Sequence, residues 1–169
     1  MNQIVTSLLA GCRDAAHKAA SLRAIMPGTP VLTASGPVPA EAILPGTRLI
    51  TRSGMCPVLA IHRHSLATVA VVRLKAGSLG PGIPSQDLCL PTGQTLILPL
   101  VLPHRPGATG SIALRPRAQA LPAHSLAAHG VCAQTEVLEN ATLLEFVLPG
   151  ANYLQAASVQ VLATEGPKA

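Results

Sequence analysis

The sequence predicts a mainly β protein: about eight short strands in a compact barrel- or sandwich-like domain, preceded by one N-terminal helix. Three observations carry this expectation. All sixteen prolines lie at or beyond Pro27, and proline breaks long helices because it lacks the amide hydrogen and clashes with the preceding turn. From that point apolar residues gather in short β-branched and aliphatic runs separated by Gly, Pro and Ser turns, the pattern of strands rather than helices. A ten-residue unit of turn, strand and turn also occurs twice, 18 residues apart.

Residues 1–26 contain no proline, and Ile4, Leu8, Cys12, Ala15, Ala16, Ala19 and Leu22 recur at three- and four-residue steps with Arg13, Asp14, Lys18 and Arg23 between them. This spacing predicts an amphipathic helix within residues 1–23, with a face made mostly of alanine and weakened by Gly11. Residues 24–162 read as the β domain and residues 163–169 as a C-terminal tail. The domain opens on the repeat. Pro27-Gly28-Thr29-Pro30-Val31-Leu32-Thr33-Ala34-Ser35-Gly36 returns as Pro45-Gly46-Thr47-Arg48-Leu49-Ile50-Thr51-Arg52-Ser53-Gly54, identical at six of ten positions. Each copy predicts a turn, an aliphatic strand and a Ser-Gly turn, and the residues between them have room for one helical turn. Further strands are expected over residues 56–62, 67–74, 95–102, 131–138, 142–148 and 158–162. Residues 76–84 form a turn-rich loop without the Lys and following helix of a phosphate cradle.

Composition narrows the function. Charged residues make up 11% of the chain, hydrophobic residues 49% and aromatics 1%. The core must therefore be aliphatic, and Phe146 and Tyr153 cannot supply the stacking platforms on which single-stranded nucleic acid or RNA bases are bound. The net charge of +5 is scattered, without a Lys/Arg run to follow a phosphate backbone. Nucleic acid is thus not an expected partner.

The four cysteines Cys12, Cys56, Cys89 and Cys132 are far apart and form no Cys-x-x-Cys pair, which favours free thiols in a reducing, cytoplasmic setting. No apolar run reaches the roughly 20 residues of a membrane-spanning helix. Leu9-Ala10-Gly11-Cys12 is similar to the lipobox of a bacterial lipoprotein, but no positive charge precedes it and its apolar stretch is short. Lipid anchoring through Cys12 is accordingly the minor alternative.

The ordered set Pro27-Gly28-Thr29-x-Val31-x-Thr33-x-x-Gly36, Val38-Pro39-x-Glu41-x-Ile43 and Pro45-Gly46-x-x-Leu49-Ile50-Thr51-x-x-Gly54 resembles the opening of Hint domains, the hedgehog/intein self-processing fold. It looks most like the bacterial branch that opens with Cys-Phe-x-Pro-Gly-Thr. Residues 72–88 and Leu121-Pro122-Ala123-His124-Ser125-Leu126 fit the same branch. The resemblance implies a compact Hint-like β fold across roughly residues 24–150. It also implies a reaction in which a side-chain nucleophile attacks its own preceding carbonyl while a histidine protonates the departing amine.

The positions that would carry this reaction differ. Ala24 stands where the resemblance places the nucleophilic cysteine, and its methyl group cannot attack. The Ser-Pro-x-His motif falls on Leu90-Pro91-Thr92-Gly93, which puts Gly93 in place of the histidine, with Thr92 beside it as a turn residue. The later Tyr-x-His-Leu region reads Leu143-Leu144-Glu145-Phe146 and has no histidine. These departures predict a Hint-like domain that has lost self-processing and acts as a non-catalytic interaction or structural module. The alternative is an active self-cleaving or splicing domain with a non-standard nucleophile, for which Ser21 and Cys12 are poorly placed.

Other candidate sites are weaker. His62 and His64 share one strand face beside an expected turn at Ser65, and with Cys56 or Cys89 they would be the start of a metal site, but no further ligands have metal spacing. Solvent-facing histidines are therefore expected there, as for His124 and His129. Glu136 and Glu139 are expected to face solvent, and no carboxylate pair suits hydrolysis. No cofactor and no small-molecule substrate is indicated. The expected partner is a protein or a second copy of the chain, covering an apolar surface near Ala24, Thr92 and Gly93.

Overall fold

The computed structural model describes residues 22–100, 117–126, 128, 131 and 133–167. The expected N-terminal helix falls outside these residues, apart from Leu22 and Arg23, which are not helical. Cys12, His129 and Cys132 lie outside them as well.

Among the described residues the chain forms twelve strands and two short 3-10 turns: β1 Pro30–Thr33, β2 Gly36–Pro39, β3 Arg48–Thr51, β4 Gly54–Pro57, β5 Ala60–Leu74, β6 Leu88–Pro91, β7 Thr95–Leu100, β8 Arg117–Pro122, β9 Ala133–Pro149, β10 Tyr153–Ala156, β11 Val159–Leu162 and β12 Thr164–Gly166. One sheet runs β2-β1-β3-β10-β11-β7-β8, with β4 added on β3; the other runs β12-β9-β5-β6. The mainly β expectation holds, with more strands than the eight expected. Runs 56–62 and 67–74 contribute to one long β5, and runs 131–138 and 142–148 to one long β9. β6, β8 and β10 add strands where none was expected. Ser65 is not a turn, since it lies inside β5 opposite Thr142. Thr164–Gly166, within the expected tail, pairs in parallel with β9.

The sequence repeat is a repeat of hydrogen bonds. Thr29 N donates to Met26 O at 3.3 Å and Thr47 N to Leu44 O at 3.0 Å. Ala40 N donates to Thr29 O and Val58 N to Thr47 O, both at 2.9 Å. The Thr33 hydroxyl donates to Gly36 O and the Thr51 hydroxyl to Gly54 O, at 2.7 and 2.6 Å. Each copy is therefore a two-stranded hairpin closed by a threonine, and Ala40–Ala42 between them makes the single 3-10 turn. The hairpins need glycine at equivalent places: Gly36 has φ 109° and Gly54 φ 110°. Open space surrounds the Cβ position of both, so alanine there meets strain rather than a clash. Gly36→Ala and Gly54→Ala are each expected to cost about 1–3 kcal/mol, by similar amounts, in urea unfolding. A neutral result at either position would deny that the threonine-closed turn is under conformational constraint.

The core is aliphatic, with Phe146 its one fully buried aromatic among the described residues. Period-two alternation along β5 and β9 divides it. Val72, Leu74, Leu144, Phe146 and Leu148 enter the main cluster between the sheets, joined by Ile25, Val31, Leu49 and Leu154. Val69, Val71, Ala141 and Leu143 point to the opposite face and form a smaller cluster with Leu22 and Ala24. A one-residue slip of β5 against β9 would exchange the two sets, so burial on both faces fixes the register.

Candidate functional site

Leu22 and Ala24 enter along the outer face of β9. Ile25 exchanges both backbone hydrogen bonds with Leu144, at 2.9 and 2.8 Å, which pins the chain in extended form and turns successive side chains to opposite sides. Ile25 therefore enters the main core, while Ala24, 2% exposed, packs into the smaller cluster with Val69, Val71, Ala141 and Leu143. Thr92 joins the same region through its N–H, which donates to Ala70 O at 3.2 Å. Ala24 and Thr92 thus both meet the Val69–Val71 segment of β5, and Gly93 follows Thr92 in the turn between β6 and β7.

His124 meets the Thr92–Gly93 turn. Its backbone N–H donates to Thr92 O at 3.0 Å, and its ring Nδ1–H donates to the same carbonyl at 3.1 Å. The imidazole is exposed as expected, but it fastens the 92–93 turn to the 3-10 turn Ala123–Ser125.

A second polar group lies on the long antiparallel β5–β9 ladder. His62 faces solvent as expected, whereas His64 is half-buried and its Nε2–H donates to Glu145 Oε2 at 2.6 Å. The Thr164 hydroxyl donates to the other carboxylate oxygen at 2.5 Å, so Glu145 links β5, β9 and β12. Burial pushes the Glu145 carboxyl up, but the hydrogen bonds from Thr164 and His64 and the charges of His64 and His62 bring it below its ordinary value. A depressed carboxylate contributes stability that is present above its unfolded value near 4.5 and is lost as pH falls through the folded value. Replacing Glu145 with Gln should therefore remove part of the chain's acid sensitivity. Urea unfolding at pH 7 and pH 3 should show a smaller difference in the variant than in the parent, and equal differences would count against the link.

The remaining candidates have structural partners. Glu136 does not simply face solvent, because it accepts two hydrogen bonds from the Arg73 guanidinium at 2.9 and 3.1 Å; Glu139 is exposed. Glu41, from the opening motif, accepts the Gly28 N–H at 2.6 Å, and this bond holds its carboxyl below the usual range. Among the described residues no three His, Cys, Asp or Glu side chains are grouped to hold a metal ion. Neither Cys56 nor Cys89 thus completes a set with His62 and His64. Cys56 instead accepts a hydrogen bond from Asn152 Nδ2 at 3.1 Å, and burial pushes the Cys89 thiol up. No helix among the described residues is long and apolar enough to cross a membrane. Two cavities among the described residues lie around the β10–β11 turn and are lined by none of Ala24, Thr92 and Gly93.

No curated protein matches the chain significantly. Solved structures are similar, among them the following three. The gp41-1 intein is 14% identical, with 84% of this chain and 98% of that chain covered and a TM-score of 0.47. The bacterial intein-like domain from Clostridium thermocellum is 12% identical, with 85% and 100% covered and a TM-score of 0.49. A mutant of the Ssp DnaB mini-intein is 15% identical, with 87% and 96% covered and a TM-score of 0.48. The family model described as the Hint domain matches residues 24–104, a span that begins at Ala24 and takes in both hairpins of the repeat, β5 and the Thr92–Gly93 turn. Over residues 24–104 the chain matches the Hint domain family.

Proposed function

We propose that this Hint domain no longer processes itself and serves as a non-catalytic interaction or structural module. The observation that carries the reading is Ala24: a methyl group, 2% exposed and packed among aliphatic side chains, at the position where the family's nucleophile would stand. Gly93 supports it, since a residue without a side chain cannot protonate a departing amine. Glu145 in the later region is engaged by His64 and Thr164. Exposed apolar side chains support the module reading and give it a location. Leu44 and Leu59 flank the β3–β4 hairpin, Met55 lies on its β4, and Val137 stands out from β9. Ala24 itself is covered by its own chain, so a partner would meet these side chains rather than the Ala24 cluster.

Intact-mass measurement tests the reading. The full chain should stay uncleaved after expression and after incubation with a thiol or hydroxylamine. A fragment starting at Ala24 would overturn the reading in favour of an active domain with an unrecognised nucleophile. On protein from the native host the same measurement reports on Cys12, where lipidation would remove residues 1–11 and add acyl mass; neither change is expected.

A further inference from the structure

The larger cavity, about 410 Å³, opens against the β10–β11 hairpin, on the other sheet from Ala24. Leu79 and Ile83 of the 76–84 loop, Ile97 and Leu98 of β7, Val131 and Val159 supply its apolar walls. Arg52, Ser78, Gln155 and Gln160 interrupt them. The Arg52 side chain is exposed and has little to bind within the protein. The Arg52 guanidinium makes one long hydrogen bond, 3.4 Å to Gln160 Oε1, and the ion pairs among the described residues leave it without a carboxylate. The Ser78 hydroxyl is closed off from solvent and unpartnered.

This chemistry selects a ligand class. The volume falls in the lower part of the ~300–1,000 Å³ range of small-molecule sites. Apolar walls ask for a hydrocarbon body, and a lone guanidinium asks for one negative charge that its planar fork can meet with two parallel hydrogen bonds. A phosphate dianion would leave half its charge uncompensated beside aliphatic walls, because Arg52 is the one cationic side chain lining the cavity among the described residues. We propose that the cavity binds a medium-chain aliphatic monocarboxylate, with its carboxylate on Arg52 and its chain between the 76–84 loop and β7. The β10–β11 turn at the cavity's edge holds Ala157 and Ser158 at φ 47° and 68°, a turn that Asn-Gly would make with less strain. This site is independent of the Ala24 region, so it stands or falls separately from the loss of self-processing.

Calorimetric titration of the full chain with sodium decanoate, below its micellar concentration, tests the proposal. Saturable binding at one site is expected. Octanoate, two methylenes shorter, should bind about 15-fold more weakly, at roughly fourfold per methylene. Replacing the charge with 1-decanol, or substituting Arg52→Gln, should each weaken binding by about 10-fold or more. Arg48→Gln, an exposed arginine outside the cavity, should keep the parental affinity, which separates the site from general attraction of anions to a basic chain. Ala118→Phe, at the cavity rim, should weaken decanoate and decanol alike and serves as a second probe if Arg52→Gln fails to fold. No saturable heat, equal binding of decanol and decanoate, or an equal loss in Arg48→Gln would overturn the assignment.

Discussion

The double variant Ala24→Cys, Gly93→His is expected to cleave itself after Arg23 when a thiol is added, while the parent chain and Ala24→Cys alone remain essentially intact. The new thiolate would attack the Arg23 carbonyl carbon. The carbon–nitrogen bond then breaks, the introduced imidazole gives its proton to the leaving amine, and a thioester replaces the amide. External thiol exchanges with the thioester and releases residues 1–23. Without an acid for the amine the tetrahedral intermediate returns to the amide, and positioned acid–base catalysis is worth about 10²–10⁴-fold. That factor separates the single from the double variant. The backbone is suited to the test, because Ile25 and Leu144 hold the entering chain by two hydrogen bonds and Thr92 is tied to Ala70 on the same segment of β5. Burial among Val69, Val71 and Leu143 raises a thiol's pKa, so cleavage should be slow at pH 7 and faster at pH 8. Fragments 1–23 and 24–169 in the intact-mass spectrum are the readout. A folded double variant that stays whole would show that the loss involves more than the two side chains.

The parts of this fold that could be read from the sequence are those whose hydrogen bonds are local. Each copy of the repeat closes on itself through Thr33 with Gly36 or Thr51 with Gly54, three residues apart, so identity in sequence translates into identity of shape. β5 and β9 were only half legible because their length comes from each other. His62, Arg63, His64 and Ser65 have no apolar alternation of their own and become strand by pairing with residues 142–145. β6, β8 and β10 are short or end at proline, and long-range pairing rather than local propensity makes them strands. The candidate site divides in the same way. Ala24, Thr92 and Gly93 stood out by their place in an ordered motif. The His64–Glu145 contact, spanning 81 residues, and the bond from His124 to Thr92, spanning 32, have no local signature.

Phe146→Ala is expected to destabilise the protein more than any single change to the polar groups above, by about 3–5 kcal/mol. Phe146 is 2% exposed in the main cluster, on β9 opposite Ile61. It is one of only two aromatic residues in the chain, and its neighbours are Leu, Val, Ile and Ala. A core of such side chains, fixed by strands on both sides, has no larger or more flexible residue near enough to relax into the space left by a phenyl ring, so the cavity term adds to the lost transfer energy. In a domain of this size 1 kcal/mol shifts the melting temperature by roughly 2–4 °C, and thermal unfolding of Phe146→Ala should begin on the order of 10 °C below the parent. Phe146→Leu keeps most of the volume and should cost less than about 1.5 kcal/mol. The difference between the two variants isolates packing from aromatic character. If Leu proves as damaging as Ala, the ring's shape rather than its bulk holds the two sheets together, and an aliphatic core alone does not account for the fold's stability.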